Sequence, residues 1–246
     1  MKISAKRTAM LNHRNYAHRG LYTKDQSVPE NSLQAFSLAA DAGYGIELDV
    51  QLSKDGKVVV FHDDDLKRVC LVDSPVCEKT LAELKSLSLA GSDQTIPLFT
   101  EVLALLNGRV PLIIELKSGK RNKELCEKTL AILRKYDGPY CIESFDPSIV
   151  LWFRIHARDI IRGQLSMHAE HYELPKALGT LLSLCFFNFL TMPHFIAYCV
   201  EKMPLSVRLS CALGTLHVAW TSHEEKDAAG SDMVIFEYYR PEVMLP

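Results

Sequence analysis

Gly45-Ile46-Glu47-Leu48-Asp49-Val50-Gln51-Leu52-Ser53-Lys54-Asp55-Gly56-Lys57-Val58-Val59-Val60-Phe61-His62-Asp63 is the stretch that decides the fold. From Ile46 to Val50 apolar and acidic residues alternate. Successive side chains of a strand point to opposite faces, so Glu47 and Asp49 share one face and Ile46, Leu48 and Val50 the other. Asp55-Gly56 predicts a tight hairpin turn with φ > 0 at both residues. The apolar, β-branched return run from Lys57 to Phe61 would then bring His62 back to the level of the carboxylates. Two neighbouring carboxylates resist burial unless something positive compensates them. A basic side chain or a divalent cation would serve. The plain alternative is a sheet with one solvated acidic face.

Upstream, Asn15-Tyr16-Ala17-His18-Arg19-Gly20 reads as a short strand ending in a glycine turn. Pro29-Glu30-Asn31-Ser32 opens a helix, with Asn31 or Ser32 as N-cap and an apolar stripe at Leu33, Phe36, Ala39 and Ala40. Asp41-Ala42-Gly43 ends it before the acidic strand. Strand, helix, strand fits a right-handed βαβ unit in a parallel sheet. Downstream, Leu66 to Ile96 is less readable, with a short helix expected over Thr80 to Leu87 and another over Pro97 to Leu106. Pro111 to Lys117 is an apolar strand carrying Glu115 and Lys117 on one face. Helices over Asn122–Tyr136, Pro147–His156, Pro175–Leu190 and Leu205–Leu213 then alternate with strands at Tyr140–Phe145, Ile160–Ser166, Phe195–Tyr198 and Leu216–Trp220, and Met233–Phe236 closes the series. Eight strands alternating with helices predict an α/β fold of the (β/α)8 TIM-barrel type, with a β-hairpin after the second strand; a doubly wound open sheet is the alternative pattern. The expectation is a single domain over residues 1–246, with 1–14 as an N-terminal extension.

Bulk properties agree. The chain has 246 residues, 48% of them hydrophobic, and a net charge of −2 with both signs interspersed, so no nucleic-acid partner is expected. Seven cysteines, scattered and without a CxxC pair, read as reduced thiols in a reducing compartment, hence a cytoplasmic location. Met1 to Tyr16 is basic but lacks the apolar core of a secretory signal. The richest apolar run, Ala177 to Val200, is interrupted by Asn188, Thr191, Pro193 and His194, so no stable membrane insertion is expected. Self-association into a homo-oligomer is left open.

In a barrel the polar residues late in their strands meet at the C-terminal mouth, where barrel active sites are built. Glu47, Asp49 and Glu115 are all oxygen donors, which suits one hard cation, Ca²⁺ or Mg²⁺, better than zinc. Arg19 and Lys117 could neutralise a phosphate, and His18 and His62 could act as general acid and general base. Such a set makes phosphodiester cleavage plausible on chemistry alone. His168, Glu170 and His171 look metal-like but read better as a solvated polar turn.

These residues fall in a familiar order. Ala17-His18-Arg19-Gly20, Pro29-Glu30-Asn31-Ser32, Glu47-Leu48-Asp49-Val50, Lys54-Asp55-Gly56, Val60-Phe61-His62-Asp63, Ile96-Pro97-Leu98, Ile114-Glu115-Leu116-Lys117, Ser144-Phe145-Asp146 and Trp220-Thr221 together resemble the glycerophosphodiester phosphodiesterase family, from about Tyr16 nearly to the C-terminus. The resemblance implies a TIM barrel that uses a divalent cation to hydrolyse a small-molecule glycerophosphodiester to an alcohol and glycerol phosphate. It implies His18 and His62 as the acid/base pair, Arg19 and Lys117 as phosphate contacts, and Glu47, Asp49 and Glu115 as metal ligands. Glu30 matches a glutamate near the site, and Trp220 an aromatic lining the alcohol pocket. The chain departs from the family around the eighth strand, where Gly230-Ser231-Asp232-Met233-Val234-Ile235-Phe236-Glu237-Tyr238 stands for a glycine-aspartate-glycine-isoleucine run and a threonine-aspartate pair, so the mouth residues differ, and at His194, where relatives tend to be acidic. Two other readings are a lysophospholipase D acting on membrane lysolipids and a catalytically silent binding barrel. An exposed apolar rim would favour the first; Phe186, Phe187 and Phe189 are its only candidates and are expected to face the core.

Overall fold

A computed structural model describes residues 15–243; the expected extension 1–14 lies outside the described residues. Nine strands form one sheet: β1 (Asn15–Ala17), β2 (Gly45–Leu52), β3 (Val58–Val60), β4 (Leu112–Leu116), β5 (Tyr140–Ser144), β6 (Ile161–Ser166), β7 (Phe195–Cys199), β8 (Leu216–Ser222) and β9 (Met233–Phe236). All but β3 run parallel, and β1 pairs with both β2 and β9, which closes an eight-stranded barrel. β3 adds to β2 antiparallel, with Val50 opposite Val60, as the hairpin reading predicts. Only Gly56 of the turn has positive φ (71°). Asp55 does not; its carboxylate instead accepts from Ser53 Oγ and from the Leu81 N–H, which fixes the turn from outside.

The helices cover the barrel: α1 (Leu33–Asp41), α2 (Lys67–Cys70), α3 (Leu81–Lys85), α4 (Phe99–Leu106), α5 (Asn122–Leu133), α6 (Pro147–His156), α7 (Lys176–Ser183), α8 (Asn188–Thr191) and α9 (Leu205–Ala212). Ser32 caps α1 by accepting from the Ala35 N–H, and Thr80 forms a capping box with Glu83 on α3. The single helix expected over Pro175–Leu190 is two. Cys185 takes a left-handed conformation (φ 51°) that stops α7 and tucks its own side chain into the core beside Ile196 and Val207. The chain then re-enters as α8, and the turn leaves Phe186 and Phe189 outside, 53% and 61% exposed, against the expectation that they face the core.

The alternation of β2 explains how the sheet builds a site. Ile46, Leu48 and Val50 pack with Phe36, Phe99 and Val102 of the covering helices. The opposite positions point into the barrel. Its floor is apolar, with Tyr16, Ile113, Cys141, Phe195, Val218 and Ile235 in one cluster. Gly45 and Gly163 lie beside it because a Cβ there would run into the rings of Tyr16 and Phe195. One inward position further along, four columns turn polar: Tyr16 gives way to His18, Ile113 to Glu115, Cys141 to Glu143, and Ile235 to Glu237, while Phe195 gives way to Ala197. Register aligns Asp49 with Glu115 and Glu115 with Glu143. An apolar floor thus lies beneath an arc of charge carried by β1, β2, β4, β5 and β9.

Candidate active site

Glu47, Asp49 and Glu115 are all buried, and one carboxylate oxygen from each lies within 4.8 Å of the others. Burial pushes the Glu47 carboxyl well above its usual range, and the neighbouring Asp49, Glu115 and Glu143 push it further. Burial also raises Glu115, with Lys117 pulling it partly back. Asp49 goes the other way: burial opposes its charge, but His62, Lys117 and Arg19 outweigh that and hold it below the usual range. The basic side chains therefore compensate one carboxylate while the others repel. A hard cation fits this oxygen-only set, because it would supply the missing positive charge.

Arg19 adopts a left-handed backbone (φ 53°), and its N–H donates to Glu47 Oε2 at 3.1 Å. Its guanidinium bonds Glu30 at 2.7 Å and lies 3.7 Å from Asp49. Lys117 Nζ sits 2.9 Å from Glu115 and 3.6 Å from Asp49. Both cations are held charged despite burial by these carboxylates. Asn31, also left-handed, donates from Nδ2 to Asp49 at 2.8 Å.

The two histidines are mounted alike and placed differently. His18 Nδ1 is 2.9 Å from Glu237 Oε2, which leaves Nε2 facing Glu47 at 3.9 Å. Glu237 is fixed in turn by the Tyr22 hydroxyl and by His223 at 2.7 Å. Burial and then Arg19 lower the His18 pKa, and Glu237 restores part of it. Burial would raise Glu237, but these donors hold it at about 2. His62 Nδ1 is 2.7 Å from Asp63, which Arg68 clamps from two nitrogens. Arg68 also bonds both oxygens of Glu30, so one guanidinium ties the His62 turn to the Arg19 loop.

The structure thus brings His18, Arg19, Glu47, Asp49, His62, Glu115 and Lys117 together. Trp220 stands across the mouth, its indole N–H on the Ser166 carbonyl at 3.1 Å and its ring edge-to-face with Phe145. Glu30 is an ion-pair partner of Arg19 and Arg68 and is absent from the carboxylate cluster. Glu237, within the run where the chain departs from the family pattern, keeps an acidic group on His18. His194 precedes β7, at the floor end, where its ring accepts from the Arg162 N–H; it lies away from the mouth. His168, Glu170 and His171 form a half-exposed turn, and among the described residues only the Glu47 cluster has metal-holding geometry. Sequence reasoning missed Glu237 and Arg68. Arg68 carried no signal, since it lies in the least periodic segment; Glu237 was visible only as a carboxylate ending the eighth strand.

A family model of glycerophosphoryl diester phosphodiesterases matches residues 18–239. The chain belongs to that family. A glycerophosphodiester phosphodiesterase of Caldanaerobacter subterraneus is 42% identical over 112 residues, 42% of this chain and 44% of that protein. The chain spans about half the length of the curated relatives it matches. Solved structures cover nearly all of it. A phosphodiesterase of Oleispira antarctica, in complex with the product sn-glycerol-3-phosphate, superposes with a TM-score of 0.76 at 26% identity, over 91% of this chain and 92% of its own. A glycerophosphodiester phosphodiesterase of Thermotoga maritima gives 0.70 at 27% identity, over 91% and 93%. Within the family barrel, Glu143 stands out: it is buried beside Glu115, has a carboxylate oxygen without a hydrogen-bond partner, and is pushed far up by burial and by Glu115.

Proposed function

We propose that this protein hydrolyses glycerophosphodiesters to glycerol phosphate and an alcohol by in-line displacement at phosphorus. The observation that carries the reading is the mouth itself: three clustered carboxylates, two cations, and two histidines each braced at Nδ1 by a carboxylate. The glycerol phosphate held by the Oleispira neighbour supports the substrate class.

Glu47, Asp49 and Glu115 would hold one divalent cation, Ca²⁺ or Mg²⁺, which when bound stabilises negative charge on the phosphate and makes a nearby hydroxyl more acidic. Arg19 and Lys117 contact the phosphate oxygens, Arg19 with a planar fork and Lys117 as a point charge. His18 is half-buried, its pKa lowered by desolvation and by Arg19, and so neutral near pH 7, with Nδ1–H directed to Glu237, so its Nε2 is free to take a proton from the attacking oxygen. That oxygen belongs to water or to the substrate's glycerol hydroxyl, the latter giving a cyclic phosphate that water opens. His62 is the more exposed of the two and borders the open side of the mouth with Trp220. It gives a proton to the departing alcohol, while Asp63, bonded at Nδ1, holds the ring in place. Trp220 walls the alcohol side.

Glycerophosphocholine turnover with and without chelation tests this. Activity should vanish on chelation and return with Ca²⁺ or Mg²⁺, and the chelated protein should melt lower because the metal binds only the folded state. Full activity with no metal detectable by elemental analysis would remove the cation from the reading. No turnover under any condition would make this a silent binding barrel.

A further inference from the structure

Glu143 stands beside the carboxylate cluster, and no protein group around it satisfies its charge. It follows Cys141 on the inward face of β5, so Cys141 lies below it and Phe145 above. On one neighbouring strand it is aligned with Gly163, whose missing Cβ leaves that space to the Phe195 ring. On the other it is aligned with Glu115. Three of its four neighbours in the sheet thus offer no polar side chain to pair with, and the fourth is another acid. The residue is 1% exposed, and its buried Oε2 meets no protein donor.

Such a group destabilises the fold that contains it. A buried carboxyl without a partner is costly, and so are two acids side by side on adjacent strands; a leucine or valine would fill the position at less cost. Lys117 pulls the other way, but its Nζ is already divided between Glu115 at 2.9 Å and Asp49 at 3.6 Å. An unpartnered acid kept next to three others, whose oxygens lie within 4.8 Å of one another, points to a ligand that carries positive charge. A phosphate oxygen has the wrong sign for it.

Its position also discriminates between cations, because Glu143 lies outside the set of oxygens that are mutually within 4.8 Å. Ca²⁺ takes about six to eight oxygens at ~2.3–2.6 Å in a pliable shell. Mg²⁺ holds about six at ~2.0–2.1 Å, keeps several waters and uses only about one or two carboxylates. Glu47, Asp49 and Glu115 already exceed that number. A further carboxylate, offset to one side, suits only the larger shell, directly or through a water.

We infer that Glu143 is a fourth carboxylate for the cation and makes the site prefer Ca²⁺ over Mg²⁺. This rests on the cation assigned to Glu47, Asp49 and Glu115 under the proposed function, and goes beyond it by naming the ion and the residue that selects it.

Calorimetric titration of the metal-stripped full chain with Ca²⁺ and with Mg²⁺ tests this without any substrate. Wild type should bind one Ca²⁺, about tenfold or more tighter than Mg²⁺. Glu143→Gln keeps the shape and removes the charge. It should weaken Ca²⁺ binding ~10–100-fold, the range seen when a group supporting a metal site is lost, and leave Mg²⁺ within about twofold. Glu115→Gln should weaken both ions. Melting gives a second readout: metal-free Glu143→Gln should melt at or above wild type, because an unpartnered buried acid is gone, and should gain less from Ca²⁺. Unchanged Ca²⁺ affinity in Glu143→Gln, or equal losses for both ions, overturns the inference and leaves the phosphodiesterase reading standing. So does a metal-free variant that melts well below wild type, which would make Glu143 a structural acid. A wild type that binds Mg²⁺ as tightly as Ca²⁺ overturns it with no variant needed. A wild type that binds neither ion overturns it and also removes the cation from the proposed function. Ca²⁺ binding that depends on Glu143, in a protein that turns over no phosphodiester, upholds the inference while the hydrolase reading fails.

Discussion

The two sides of the barrel mouth are built by opposite means. On one side, the loops after β1, β3 and β9 are locked by charge: Arg19 and Arg68 share Glu30, Arg68 holds Asp63, Asp63 holds His62, and Glu237 holds His18. On the other, after β6 and β7, short helices offer leucines and phenylalanines to solvent. Buried ion pairs fix geometry at the cost of desolvation, so they suit groups that must be in place before substrate arrives. Apolar surface tolerates many shapes and gains from whatever covers it. On the proposed reading the charged side does the chemistry, and each of the following measurements bears on one side of the contrast.

The largest effects belong to the charged side. His18→Ala and His62→Ala should each lose ~10²–10⁴-fold in turnover of alkyl diesters. With a nitrophenyl diester, whose leaving group needs no proton, His62→Ala should recover and His18→Ala should stay slow. Equal losses on both substrates would make the histidines positioning groups and erase their division of labour.

Glu237→Gln should cost roughly 10–100-fold, in the range seen when a group orienting a catalytic or metal-bound ring is lost. Glu237 raises the His18 pKa against burial and Arg19, so its removal should move the acidic limb of the kcat/KM profile to lower pH. Asp63→Asn acts on the other histidine and should leave that limb where it is. A limb that shifts equally in both variants would show the two braces to be one network.

Stability should show a smaller effect of the same pair. The Glu237 carboxyl is held at about 2 in the folded protein, below its unfolded range near 4.5. A depressed acid stabilises above the unfolded value and loses that contribution as pH falls towards the folded one. Urea midpoints should therefore fall between about pH 4.5 and 2 in the wild type and more gently in Glu237→Gln. Parallel curves would mean that Glu237 has the same proton affinity folded and unfolded.

The smallest effect belongs to the apolar side. Phe189→Ser should change folding free energy by less than about 0.5 kcal/mol, as expected of an exposed position. Phe153→Ala, fully buried beneath the helices, should cost about 3–5 kcal/mol. A comparable loss at Phe189 would show the α7–α9 face to be covered, and the contrast between the two sides would fail.

The charged side was also the legible side. Alternation in Ile46–Val50 and Pro111–Lys117 exposes a strand with acids on one face, and burial of such acids is improbable without a purpose. The hairpin return to His62 follows from Gly56 and period-two spacing. Glu237 and Arg68 were not legible, because their roles depend on pairings that only tertiary closure creates. The apolar side misled for a physical reason: periodicity shows that Leu178 to Phe189 has an apolar face but not which way it points. One left-handed residue, Cys185, breaks the helix and turns Phe186 and Phe189 outward. Nothing in that residue's chemistry announces a positive φ.

The bond between His18 and Glu237 spans 219 positions, joining the first strand to the last. Translated into the life of the chain, this is a safety on synthesis. A growing polypeptide contains all three carboxylates of the cluster once Glu115 is made, and His62 earlier still. The His18 ring has no partner to set its tautomer until Glu237 emerges and β9 zips against β1. On the proposed reading, half-made chains, and chains clipped just before Glu237, would carry the parts of a hydrolase with its His18 ring unbraced, and full turnover would wait for the last stave of the barrel.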